Sequence, residues 1–111
     1  MTWSKIIDLG TADATAGLKQ GTFFPVQRSH DEAGSIQIST SDHTAIASGN
    51  LFITGRPNSS VAQVILITQS LTALGANTII ISDIPLMPEM AFVLAAASSS
   101  PTVSLNVLLM E

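Results

Sequence analysis

Clusters of turn-forming residues divide this chain at short, regular intervals, and their spacing restricts the folds that it can adopt. Between them lie segments of about five to nine residues that are rich in Ile, Val, Leu, Phe and Thr. Short strands spaced in this way are typical of an all-β sandwich or barrel. The clusters fall at residues 29–34, 41–43, 48–50, 56–60, 74–77, 83–89 and 98–101.

Several segments alternate between apolar and polar residues, as half-buried strands do. Ile36 and Ile38 share one face of the segment 35–39, and Val or Leu occupies every odd position of the segment 103–109. The segment 90–97 is apolar throughout and too short for a convincing helix, so it predicts a buried strand.

These patterns predict one all-β domain over residues 1–111, since a chain of this length forms a single core. The expected architecture is a single antiparallel β-sandwich, or a jelly-roll-like barrel, of about eight short strands. Residues 1–34 are expected to be rich in loops, and residues 12–20, where small side chains predominate, are expected to form a loop.

The composition excludes several classes of function. Charged residues make up 11% of the chain, against about 25% in ordinary soluble domains. With four scattered cations and a net charge of −4, the chain has no basic patch for nucleic acid. Cysteine is absent, which rules out disulfides and thiolate chemistry. The longest apolar run is far shorter than the ~20 residues of a membrane span, and the N-terminus lacks the apolar core of a signal peptide, so synthesis in the cytoplasm is expected.

The second half of the chain is almost free of charge: after Arg56, the ionisable side chains are Asp83, Glu89 and Glu111 alone. In addition, the strands around 64–67 and 79–81 are apolar on both faces. Such strands need a second cover, which a neighbouring subunit could supply, as could a loop or barrel wall of the same chain. We favour the subunit, and Arg56 could pair with a carboxylate across that interface. The predicted interface residues are Val64, Leu66, Ile79, Ile80, Ile81 and Arg56.

The residues capable of chemistry do not form a recognisable catalytic or metal-binding pattern. His30 and His43 flank a predicted strand of roughly 17 Å, so one ion could bind both only if the chain bent sharply. We favour two solvated turns, in which Asp and Ser side chains bond nearby backbone amides. Serines lie in turn clusters without a nucleophile motif, and the segment 55–58 lacks the glycine spacing and lysine of a phosphate loop. We therefore expect no enzyme activity, no metal and no cofactor.

The order of segments over residues 50–111 resembles the small β-sandwich virion proteins of tailed bacteriophages, including the capsid decoration or cement class. The phrase Leu86-Met87-Pro88 stands where those proteins carry a leucine–x–proline step before the penultimate strand. The small-residue turn at 98–101 stands before the last strand, as it does in them. The resemblance transfers no site residues. It implies a structural role, often as a trimer, on a capsid lattice.

The sequence thus leads us to expect a non-enzymatic virion structural protein, made in the host cytoplasm. Its partners would be other copies of itself, with a trimer favoured, and a coat or other virion protein, with no role for nucleic acid or membrane. A decoration protein at coat-subunit junctions is the first expectation, and a tail, connector or fibre-attachment component is the second. A different class is a soluble ligand-binding β-barrel, in which Phe92, Ile80 and Leu66 would line a cavity.

Overall fold

The chain folds into two antiparallel sheets packed face to face, which confirms the predicted β-sandwich. The computed structural model describes residues 6–13, 17–26, 33–46, 48–96 and 103–110. Nine strands lie in these ranges, one of them only two residues long. They are β1 (Ile6–Asp13), β2 (Gly17–Gln20), β3 (Phe24–Pro25), β4 (Ala33–Thr40), β5 (Gly49–Arg56), β6 (Val64–Ser70), β7 (Thr78–Pro85), β8 (Glu89–Ala96) and β9 (Ser104–Met110).

The sheet order places sequence-distant strands side by side. The first sheet has the order β1-β9-β4-β7, and the second has the order β2-β8-β5-β6, with β3 also paired to β8. The edge strands are therefore β1 and β7 in the first sheet, and β6 and β2 with β3 in the second. β6 and β7 lie next to each other and are in contact at one side of the sandwich.

The core lies between the sheets and is built from the alternating positions. Ile36 and Ile38 of β4 are fully buried, as are the odd-numbered positions 105, 107 and 109 of β9. Phe92 and its neighbours on β8 fill the core from the second sheet. The predicted buried strand over 90–97 is confirmed as β8, with residue 97 outside the described ranges.

The expectation of a loop-rich N-terminal portion was wrong for the part that the structure describes. Residues 1–34 contain β1, β2 and β3 and the start of β4, and the supposed loop at 12–20 includes the end of β1 and all of β2. β1 pairs with β9, and β2 pairs with β8, so backbone hydrogen bonds to distant strands hold residues 12–13 and 17–20 in extended form.

The helical segments of the described residues are single 3₁₀ turns at His43–Ala45 and Leu71–Ala73. Neither approaches the length or apolar character of a helix that crosses a membrane, and no other helix lies in the described ranges. The first turn is fastened to the start of β7, since the backbone N–H and Nδ1 of His43 both contact Oδ1 of Asn77, at 2.9 and 2.6 Å.

Candidate functional site: the apolar rim of β6 and β7

Two edge strands from different sheets together form an apolar surface at one side of the sandwich. β6 pairs only with β5, and β7 pairs only with β4, so each leaves one side of its backbone without a strand partner among the described residues. No residue between positions 57 and 82, which span β6 and most of β7, is ionisable. We call this surface the β6–β7 rim; it comprises Val64, Ile65, Leu66, Ile67, Ile79, Ile80 and Ile81.

Three side chains of the rim are exposed to solvent although they are aliphatic. The exposed fractions are 51% for Val64, 60% for Ile65 and 55% for Ile80. The other four rim residues are partly buried and pack against the margin of the core. The outward side of these strands is therefore not covered by the described part of the chain, and an exposed apolar surface of this kind is typical of a contact with another molecule.

A bulge in β6 decides which of its side chains face outward. Ile67 pairs with Ile53, while Ile65 pairs with the adjacent Thr54, which leaves Leu66 as an extra residue on β6. Ile67 therefore points toward the core, and Ile65 points to the outer face of the sheet. Strict alternation would put Ile65 and Ile67 on one face, and the bulge separates them because alternation does not continue across it.

Over residues 78–81 of β7 the alternation is regular. Ile79 and Ile81 pair with the buried Ile38 and Ile36 and turn toward the core, while Ile80 pairs with Gln37 on the outer face. Of the predicted interface residues, Val64 and Ile80 are thus exposed. The other apolar ones are partly buried and pack against the margin of the core, although they belong to the rim: Leu66, Ile79 and Ile81.

Arg56 has its carboxylate partner within its own chain. Its Nε donates to Oε1 of Glu89 at 2.6 Å, across the pairing of β5 with β8. Its guanidinium also stacks on the ring of Phe23, 3.7 Å from the ring centre. The sequence had suggested a carboxylate across an interface, and the structure supplies one inside the subunit because residues 56 and 89 are direct cross-strand neighbours.

The second sheet carries a pocket of about 280 Å³ on its outer face. It is bounded on one side by Gln63, whose Nε2 donates to Oε1 of Gln20 at 2.7 Å. The Thr54 hydroxyl donates to the Ala91 carbonyl at 3.3 Å, and the lining of the pocket is mostly apolar. The pocket is lined by Phe52, Thr54, Gln63, Ile65 and Val93.

The residues expected to line a ligand cavity do not line this pocket. Phe92 is buried between the sheets, and Ile80 lies on the outer face of the other sheet. Leu66 occupies the bulge. The three were chosen for their apolar character, but side-chain direction and sheet membership separate them.

The histidines form no metal site in the part of the chain that the structure describes. His30 lies outside the described residues, and His43 is bonded to Asn77. Asp42 caps the 3₁₀ turn by accepting from the backbone N–H of Thr44 at 3.1 Å. No group of three His, Asp or Glu side chains within the described ranges is arranged to hold an ion.

The fold and the rim define an antiparallel β-sandwich with one uncharged, open side. Comparison of the chain with protein-family models, with curated proteins and with solved structures found no match. Inferences about function therefore depend on the geometry of the chain itself.

Proposed function

We propose that the protein is a non-enzymatic virion structural protein of the decoration or cement type, which packs its β6–β7 rim against neighbouring subunits of a capsid. The observation that carries this proposal is the exposure of Val64, Ile65 and Ile80 beside two open sheet edges in an uncharged stretch of chain. A solvent-facing edge of a monomeric sandwich normally carries charge.

The mechanism would be the burial of apolar surface at many equivalent places. Full burial of a Val or Ile side chain contributes about 1.5–3 kcal/mol, and the three exposed rim residues are already about half covered, so one copy would gain about 2–4 kcal/mol. Such a contact is weak alone. Many copies on a lattice, each touching more than one neighbour, would together stabilise the shell strongly.

The proposal is tested by binding of the purified protein to particles that lack it. We expect Ile80→Lys to weaken binding and to lower the temperature at which the decorated particles open. The matched control is Leu18→Lys, since Leu18 is also an exposed aliphatic residue, at 74%, but lies on β2 at another edge. Leu18→Lys should bind like the wild type.

The copy number separates the members of this class. A number comparable to that of the coat protein indicates a shell protein, and a far smaller one indicates a tail, connector or fibre-attachment component. Native particles without any copy of the chain, or equal binding by Ile80→Lys and the wild type, would refute the proposal.

A further inference from the structure

The four edges of the sandwich differ in how well they are protected against pairing with another chain. Natural edge strands usually carry charged residues, prolines or kinks, or are very short. β1 contains Asp8 and Asp13. β2 is only four residues long and contains Lys19, and the two-residue β3 ends in Pro25. These edges have the usual protection.

β7 is also interrupted near its end. Asp83 has a φ of +62°, a left-handed conformation that breaks the extended strand, and the strand ends in Pro85. β6 differs from the other described edges because it contains no charged residue and no proline from Val64 to Ser70. Its one irregularity is the bulge at Leu66, which shortens the regular stretch without removing it.

We propose that β6 pairs with β6 of a second copy, antiparallel across a twofold axis, so that two sandwiches share one continuous sheet. This inference rests on the proposed function, because it assigns a partner to part of the same rim. Each half of the sheet would keep the order β2-β8-β5-β6, and β6 would become an interior strand. The unpaired N–H and C=O groups of β6 would then bond to each other across the axis.

The charge distribution favours a second copy as the occupant. In a twofold contact the same strand faces itself, with residue i opposite residue j and j opposite i, so an edge that carries charges of one sign would repel its own copy. The stretch 57–82 carries no charge of either sign, so like-charge repulsion is absent there. The residues that produce the net charge of −4 lie outside this stretch. The edge therefore has no charge of its own that would attract a partner of opposite charge.

The available area indicates a weak dimer. A seven-residue strand is about 23 Å long, and the sandwich is 18 Å thick along its shortest axis. The contact would therefore cover about 400 Å² on each copy, half of the roughly 800 Å² of a standard stable interface. We expect the association to depend on concentration, so that the dimer becomes populated between micromolar and millimolar protein. A twofold contact closes on itself, so the product is a dimer and not the trimer that the resemblance to decoration proteins implies.

The test is sedimentation equilibrium of the full chain over this concentration range, with two matched variants. Ile65→Lys places a charge on β6, and Leu18→Lys places the same charge at an exposed position of β2, at another edge, 74% against 60%. Ile65→Lys should lower the association constant about tenfold or more, because it removes buried aliphatic surface and puts a cation of each copy into the contact. Leu18→Lys should leave it within about twofold. Thr68→Lys, at an exposed position of β6, repeats the test if the first variant folds poorly.

Amide hydrogen exchange shows whether the contact is strand pairing. Exchange in β6 should slow as the dimer forms, while exchange in β7 should not change with concentration. A monomer at every concentration, a trimer, or equal weakening by Ile65→Lys and Leu18→Lys would overturn the inference. A monomer that still binds particles would overturn the pairing and leave the proposed function intact. A dimer that binds no particle would support the pairing and refute the function.

Discussion

Replacement of Arg56 by alanine tests whether this side chain stabilises the folded sandwich or makes contacts in an interface with another molecule. The guanidinium makes two contacts inside the subunit, a 2.6 Å bond to Glu89 and a stack on Phe23 at 3.7 Å. The side chains of Arg56 and Glu89 are 23% and 33% exposed, so the pair is partly shielded from water. The substitution removes both contacts together.

The expected loss follows from the two contacts. A partly shielded ion pair with a short hydrogen bond contributes about 1 kcal/mol. A cation on an aromatic face at this distance contributes about 0.5–1 kcal/mol. The free energy of unfolding should therefore fall by about 1.5–2 kcal/mol in Arg56→Ala. Arg56→Lys should lose a part of this, because lysine keeps the charge but not the planar group that stacks.

Urea unfolding followed by circular dichroism measures these losses. Double-mutant cycles with Glu89→Gln and with Phe23→Leu separate the two contacts, and each should give a coupling energy of about 0.5–1 kcal/mol. In about 1 M salt the coupling with Glu89 should shrink, while the coupling with Phe23 should change less.

One pattern of results would refute this reasoning. If Arg56→Ala leaves the unfolding free energy unchanged, and if both coupling energies are near zero, the contacts do not fasten the sandwich. A simultaneous loss of binding to particles would then support the interface role that the sequence predicted for Arg56.

Two further substitutions test backbone and side-chain contacts by the same urea assay. Gly10→Ala should cost about 2–3 kcal/mol, since Gly10 has a φ of +126° and a Cβ there would lie 3.2 Å from Cε1 of Phe92. Gly75→Ala, with a φ of +74° and no atom within 4 Å of the added Cβ, should cost only about 1 kcal/mol, and equal losses would contradict the contact with Phe92. Asn77→Ala should cost about 1 kcal/mol because it removes the acceptor for two N–H groups of His43, whereas Asn77→Asp keeps an acceptor and should cost less. The same loss in both variants would show that the shared oxygen is not what stabilises the turn.

The sequence carried enough information for the fold class and for much of the core. Ile36 and Ile38, together with the odd positions of β9, alternate with a period of two, and a strand with one buried face requires that period. β8 (Glu89–Ala96) lies where the apolar run predicted a buried strand. In these segments the local pattern and the final burial agree because the side-chain direction is set by the strand itself.

The N-terminal strands show where a local pattern stops being informative. The end of β1 and all of β2 lie in the stretch 12–20, where small residues favour a loop, and their extended form comes from pairing with β9 and β8, far away in the chain. The sequence of one chain does not indicate which strands will pair with β1 and β2. The pairing with neighbouring strands, which forms only in the folded chain, therefore outweighs the local secondary-structure propensity of these residues.

The order of residues is enough to show that the second half of the chain is almost uncharged, strand-rich and apolar on both faces around 64–67 and 79–81. Pairing between strands in the folded chain makes these stretches neighbouring edge strands, and the bulge at Leu66 turns Ile65 outward beside an open edge. It also decided that Arg56 would find Glu89 inside the subunit. The physical reason is that composition and periodicity are local properties of a chain, whereas strand order and register arise from hydrogen bonds between segments distant in sequence.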